Sequence, residues 1–225
     1  MKRSIALAVV LILSGCDNRI EVATTAVEKE LIHKNTVEYR QMKTFPGDVV
    51  CGEVNASGAW GEGAGYRRFI VRGDTANTLP SDDDWVIFCS KDSAAALQSR
   101  LGIGPLDKTN PDLLTVQQHL NELNQALQRY FTDRLVFPAT EPGLQSLVSS
   151  HSTSATPNAK SYIDSVADDP WGRPYHYEKP RQLHGSTKKT YRLFTLGRDG
   201  IKGGRGENAD IGNLNLKYLN HISNL

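Results

Sequence analysis

Two aspartates, Asp199 and Asp210, bracket a stretch that carries Gly200, Gly203, Gly204 and Gly206. Glycine reaches backbone angles closed to other residues, so such a loop can curl until its carbonyl oxygens face inward. Two carboxylates would then add negative charge, and calcium takes about six to eight oxygen donors of this kind. The spacing is not that of the EF-hand, which needs acidic residues at alternate positions and a terminal Glu. On spacing alone, a flexible turn is favoured over a metal loop.

Cysteine is the second source of chemistry, and the chain has three. Cys16 closes the run Leu13-Ser14-Gly15-Cys16, which follows a positive start at Lys2 and Arg3 and an apolar stretch over residues 5–13. That order resembles a bacterial lipoprotein signal at residues 1–15, with a diacylglycerol added to Cys16 and cleavage just before it. Several acyl chains on one terminus anchor a protein stably, at about 0.8 kcal/mol per buried methylene. Membrane lipid is thus the first expected partner. Asp17 resembles a signal that retains lipoproteins in the inner membrane, so that membrane is favoured over the outer one, facing the periplasm. Cys51 and Cys89 remain as an even pair in an oxidising compartment and are expected to form a disulfide. The bond would close a loop of about 39 residues and contribute roughly 4 kcal/mol on the chain-entropy model.

Charge and motif content exclude several function classes. Removing residues 1–15 takes Lys2 and Arg3 from 26 basic residues, leaving 24 against 25 acidic ones. Such balance is not the basic field that nucleic-acid binding requires. The six histidines are scattered, at 33, 119, 151, 176, 184 and 221, without metal-ligand spacing. His119 lies off the apolar stripe of its helix and reads as solvated, and His176 reads as a surface strand residue. Neither a nucleotide-binding fingerprint nor a nucleophile elbow is present. Asp82, Asp83 and Asp84 are adjacent and read as a solvated acidic turn. No catalytic residue is assigned, and the protein is read as no enzyme.

These residues need elements to hold them. Residues 16–35 read as a tether and helix, with apolar positions at Val22, Ala26, Val27, Leu31 and Ile32. Residues 36–101 read as a small α+β domain stapled by the disulfide, with strands expected at 37–42, 49–54, 66–72 and 85–89 and a short helix at 93–100. Residues 102–110 read as a linker. A long helix then opens at Asn110-Pro111-Asp112, a residue order suited to a helix N-terminus. Leu113, Val116, Leu120, Leu123, Leu127 and Tyr130 give it one apolar stripe. Tyr175, Tyr177, Tyr191, Leu193 and Phe194 suggest paired antiparallel strands. The Ser- and Thr-rich residues 151–160 read as an exposed loop, and 216–225 as a C-terminal tail.

Four segments in order carry a more specific likeness. They are Tyr130-Phe131-Thr132-Asp133 through Phe137-Pro138, then Glu141-Pro142-Gly143-Leu144, Asp169-Pro170-Trp171-Gly172-Arg173-Pro174, and Phe194-Thr195-Leu196-Gly197-Arg198-Asp199-Gly200 through Asp210-Ile211. Together they resemble the globular domain of the major pseudopilin family of type II secretion systems, placed at residues 111–215. The resemblance implies an α+β fold in which a long helix packs on a small antiparallel sheet beside a calcium loop. It implies a calcium ion held by the side chains of Asp199 and Asp210 and the carbonyls of Leu196 and Ile201. It also implies type II secretion proteins as partners and a structural or docking role. Glu207 reads as a solvated loop charge, and the Asp169–Gly172 motif as a structural turn. The family's own prepilin leader and apolar N-terminal helix are replaced here by the lipoprotein-like start. Two alternatives stand beside this reading: an envelope lipoprotein that reuses the fold for something unrelated, and a periplasmic enzyme built on residues 36–101.

Overall fold

A computed structural model of the chain describes residues 18–31, 36–59, 65–107, 109–148, 161–179 and 190–225. The expected signal peptide, Cys16 and the loop at 151–160 lie outside them. The chain divides into two compact units, Met1–Pro80 and Ser81–Leu225. The architecture is α+β, as expected. Among the described residues, no helix is long and apolar enough to cross a membrane.

In the first unit, helix α1 (Asn18–Glu30) precedes four antiparallel strands in chain order, β1 (Val37–Phe45), β2 (Val49–Ala56), β3 (Arg67–Arg72) and β4 (Thr75–Asn77). Ala23, Ala26 and Val27 on α1 bury against Val50, Val54, Phe69 and Val71 of the sheet. This one-sided apolar helix follows from the spacing of its small and branched residues. Gly52 pairs with Phe69 across the β2–β3 ladder, and a Cβ there would stand 2.9 Å from the Phe69 ring. The glycine therefore makes room for the aromatic that fills the core. A register shift between Arg40 and Lys43, with Gln41 at φ 55°, twists the edge strand β1.

The second unit opens with two short helices, α2 (Asp82–Phe88) and α3 (Ser93–Leu101), where residues 85–89 were expected to be a strand. The correction lies in the acidic turn. Ser81 and Asp84 form a reciprocal capping box: the Ser81 hydroxyl accepts from Asp84 N–H at 3.1 Å, and the Asp84 carboxylate accepts from Ser81 N–H at 3.3 Å. That pairing nucleates a helix from residues whose β-branched and aromatic side chains favour a strand. Asp84 is accordingly buried, not solvated. Gly102, Ile103, Gly104 and Asn110, from the stretch read as a linker, are buried in this unit, with Ile103 only 2% exposed.

Helix α4 (Pro111–Arg134) buries Leu113, Val116, Leu120, Leu123, Ala126 and Leu127 along the expected stripe. Asn110 occupies its N-cap, yet makes no side-chain capping bond. Three antiparallel strands, β5 (His176–Glu178), β6 (Arg192–Thr195) and β7 (Ile211–Gly212), pair in that order. Tyr177 stands opposite Leu193, both buried, as the alternation of these residues suggested. The stretch read as a tail is instead helix α5 (Leu216–Ser223), with Leu216, Tyr218, Leu219 and His221 buried. Three apolar residues in steps of three, Leu216, Leu219 and Ile222, carry the signal, which is short enough to miss.

Two polar clusters fasten α5. The Asp84 carboxylate accepts from the Tyr218 hydroxyl at 3.0 Å, the Ser81 hydroxyl at 2.9 Å and Lys217 Nζ at 2.5 Å. Burial pushes the Asp84 pKa up, but these partners outweigh it and hold the carboxyl below its ordinary value. On α4, Gln117 Nε2 and Asn121 Nδ2 donate to Asn220 Oδ1 at 2.9 and 2.8 Å. Asn220 Nδ2 returns a bond to Asn121 Oδ1, and Ser223 Oγ donates to Gln117 Oε1, each at 2.9 Å.

Candidate metal-binding loop

Strands β6 and β7 pair Thr195 with Ile211, so residues 196–210 form one excursion between two adjacent ladder positions. Its two arms are brought together by backbone that only glycine permits. Gly197 sits at φ 67°, and a Cβ there would meet the backbone of Asn208 and Ala209 at 2.6 to 2.8 Å. Next to it Arg198 N–H donates to Glu207 C=O at 2.7 Å, and the two side chains form an ion pair at 2.5 Å. Glu207 is therefore paired, where the sequence suggested a solvated charge. Residues 206–208 make a single 3-10 turn that leads through buried Ala209 to Asp210.

The two aspartates differ in their surroundings. Asp199 is exposed and its Oδ1 accepts from Ile201 N–H at 3.0 Å, a local turn bond. Asp210 is half-buried, and its Oδ1 is shut away from solvent without a hydrogen-bond partner. An ionised carboxylate oxygen in that position is costly, by about 1–3 kcal/mol or more, unless a cation meets it. Leu196 is half-buried at the start of the loop, and the Ile201 side chain is exposed. Among the described residues, no group of three or more His, Cys, Asp or Glu converges. A cation here would need backbone carbonyls, for which the expected set names those of Leu196 and Ile201. Donors made only of oxygen, with one carboxylate oxygen left over, fit calcium chemistry.

One support was not assigned a role from the sequence. Asp169 is buried, and its Oδ1 accepts from Trp171 N–H at 3.1 Å and Arg173 N–H at 2.9 Å, while Thr195 Oγ1 donates to Oδ2 at 2.6 Å. The turn at Asp169–Gly172 is structural, as read. It also aims Arg173, whose guanidinium donates to the carbonyls of Gly197 and Arg198 and lies beneath Gly200. The sequence signal was the Arg directly after the turn glycine, whose partner lies some 24 residues away.

His119, Tyr175 and His176 are held in packing contacts. His119 is half-buried, not solvated, with Nδ1 3.2 Å from the Tyr175 hydroxyl. Burial, with the Asp169 charge behind it, pushes the Tyr175 hydroxyl well above its usual range, so it stays protonated. His176 is exposed and stacks on Phe194. In the first unit, a cleft of about 210 Å³ is lined by Asn18, Arg19, Val22, Asp48, Val50 and Gly73. Its only titratable members are Arg19 and Asp48, so it holds no acid–base pair of carboxylates or histidines. Cys51, on β2, and Cys89, at the C-cap of α2, are disulfide-bonded, as their number and compartment suggested.

A helix laid on a small antiparallel sheet, with a glycine-rich loop between the last two strands, has clear relatives. Residues 107–214 match the family described as type II secretion system (T2SS), protein G. Type II secretion system core protein G of Klebsiella pneumoniae is 38% identical over 112 residues, which cover 48% of this chain and 73% of that protein. The Vibrio cholerae protein of the same name is 40% identical over 42% of this chain and 63% of its own length. That of Pseudomonas aeruginosa is 38% identical over 39% and 61%. The chain thus spans about three fifths of these last two relatives. A crystal structure of the major pseudopilin from the type 2 secretion system of enterohaemorrhagic Escherichia coli aligns with 47% of this chain and 89% of its own, at 31% identity and a TM-score of 0.36. The chain belongs to the type II secretion system protein G family. Both arms of the loop, with Asp199 and Asp210, lie inside the matched stretch, whereas α1–α3, the four-stranded sheet and α5 lie outside it.

Proposed function

We propose that this protein is a lipid-anchored, non-catalytic component of the cell envelope that acts with type II secretion proteins through a calcium-stabilised domain. Cys16 carries the anchor, with the inner membrane favoured and the bulk of the chain in the periplasm. The calcium ion is held by the side chains of Asp199 and Asp210 and the carbonyls of Leu196 and Ile201. Calcium supplies positive charge to the enclosed Asp210 oxygen and order to a loop whose glycines are otherwise costly to fix. The residues of the chain do the rest. Arg173 holds the near arm, Gly197 lets the arms close, and the Arg198–Glu207 pair bridges them. The observation that carries this reading is the enclosed, unpartnered Oδ1 of Asp210, placed within the stretch that matches the family.

A second reading, an envelope lipoprotein that applies the same domain to another partner, is favoured by one fact. Everything before residue 107 lies outside the family match. One experiment separates the two. The tagged chain is recovered from membranes with calcium and again with a chelator, its N-terminal peptide is weighed, and calcium heat is measured by calorimetry. Diacylated Cys16, a calcium heat and calcium-dependent recovery of secretion proteins support the first reading. Calcium heat with a different set of proteins favours the second. An absence of calcium heat removes the metal site from both.

A further inference from the structure

The loop leans on a helix outside the family-matched stretch. Gly206 N–H donates to the Gly102 carbonyl at 2.7 Å. Gly102 is the left-handed C-cap of α3, at φ 72°, and its own N–H bonds back to Gln98 C=O at 3.0 Å. The cap therefore fixes the direction in which the Gly102 carbonyl points. The Arg205 side chain lies against the same glycine, so closely that a Cβ on Gly102 would stand 2.9 Å from Arg205 Cγ. Gly206 also faces the neighbouring turn, where its missing Cβ would lie 3.7 Å from the Gly104 carbonyl. From Gly206 the 3-10 turn runs to Asn208, and two residues later comes Asp210. One arm of the loop is thus tied at the Arg173 side and the other at the end of α3.

We infer that the C-terminal cap of α3 is a positioning element for the Asp210 arm, so that cation binding in the loop and closure of the α3 cap are coupled. This rests on the calcium reading above. Only three residues separate Gly206 from Asp210, so a displaced Gly206 moves the carboxylate. Conversely, an ion that pins Asp210 holds Gly206 where it meets Gly102. Coupling of this kind is reciprocal, and factors of about 5 to 150 in affinity are typical. The match to the family begins at residue 107, so the buttress comes from the part of the chain that precedes it. Calcium would thereby report to the α2–α3 helices of this protein, and not to the loop alone.

The test uses the detergent-solubilised full chain, hydrogen exchange with calcium or chelator, and calorimetry with calcium alone as the probe. Amides over residues 98–104 and Gly206 should gain roughly tenfold protection with calcium, while those of β2 stay unchanged. Arg205→Ala should weaken calcium binding by about fivefold with the circular dichroism spectrum intact, and Gly102→Ala by more. Should Gly102→Ala fail to fold, Arg205→Ala and the exchange data decide. A calcium heat with no change at residues 98–104, or full affinity in Arg205→Ala, overturns the coupling and leaves the calcium site standing. No calcium heat in the parent chain overturns both.

Discussion

Asp84 and one oxygen of Asp210 are both withdrawn from water, and their surroundings could hardly differ more. Asp84 spends its oxygens on Ser81, Lys217 and Tyr218, all supplied by the protein. Asp210 keeps one oxygen without a hydrogen-bond partner among the described residues. The first carboxylate fastens α2 to α5 with partners from the chain itself and needs no added ion. On the calcium reading the second would find its counterpart outside the chain, and that distinguishes a fastening from a receptor.

Four measurements break or sharpen that contrast. The largest effect belongs to a fastening of the first kind. Reduction of the Cys51–Cys89 bond, or Cys51→Ser with Cys89→Ser, should cost roughly 4 kcal/mol in denaturant unfolding, equally with calcium or chelator. A loss that appears only in chelator would blur the two categories.

Asp84→Ala comes next, at about 2–3 kcal/mol, since it strands the buried Tyr218 hydroxyl while half-exposed Lys217 turns to water. Its calcium heat should match that of the parent. The pH dependence has a defined sign. The folded Asp84 pKa lies below its ordinary value near 3.8, so its contribution is complete above that pH and fades as pH falls further. Asp84→Asn should lack that part of the acid transition, and identical acid curves for the two proteins would count against the knot.

Asp210→Ala should cost about 2.7 kcal/mol when calcium stands at a hundred times its dissociation constant. In chelator the variant should be at least as stable as the parent, because the enclosed orphan oxygen is removed with the side chain. Equal melting of mutant and parent in calcium would sink the site. The smallest effect is that of Glu207→Gln. Its pair with Arg198 is substantially exposed, and such pairs contribute under about 1 kcal/mol, less in high salt.

What the sequence disclosed follows the range of the forces involved. The apolar stripe of α4 and the first three strands of the first sheet were legible because period and burial write themselves along the chain, whereas the three-residue β4 was too short to show. The strand expected at 85–89 became α2 because a capping box overrode the preference of Trp85, Val86 and Ile87. Asp84, one residue of that box, reads from the sequence as part of a solvated acidic turn. The α5 helix escaped notice because its burial depends on Asp84, Ser93 and Asn121, all distant in sequence. In the loop, the aspartates and glycines were readable from type and spacing. Arg173, Gly102 and the pairing of Glu207 were not, since each acts on a partner that only the folded chain brings near.

The seam between α4 and α5 has a consequence of its own. Gln117, Asn121, Asn220 and Ser223 bond one another through neutral amides and a hydroxyl. Such groups neither gain nor lose protons in any natural habitat, and dissolved ions hardly shield them. A bacterium moving from fresh water to brine, or from alkaline to sour surroundings, would leave this join as tight as before. This seam of the last helix is thereby indifferent to brine and acid, unlike the Asp84–Lys217 contact nearer the start of the same helix.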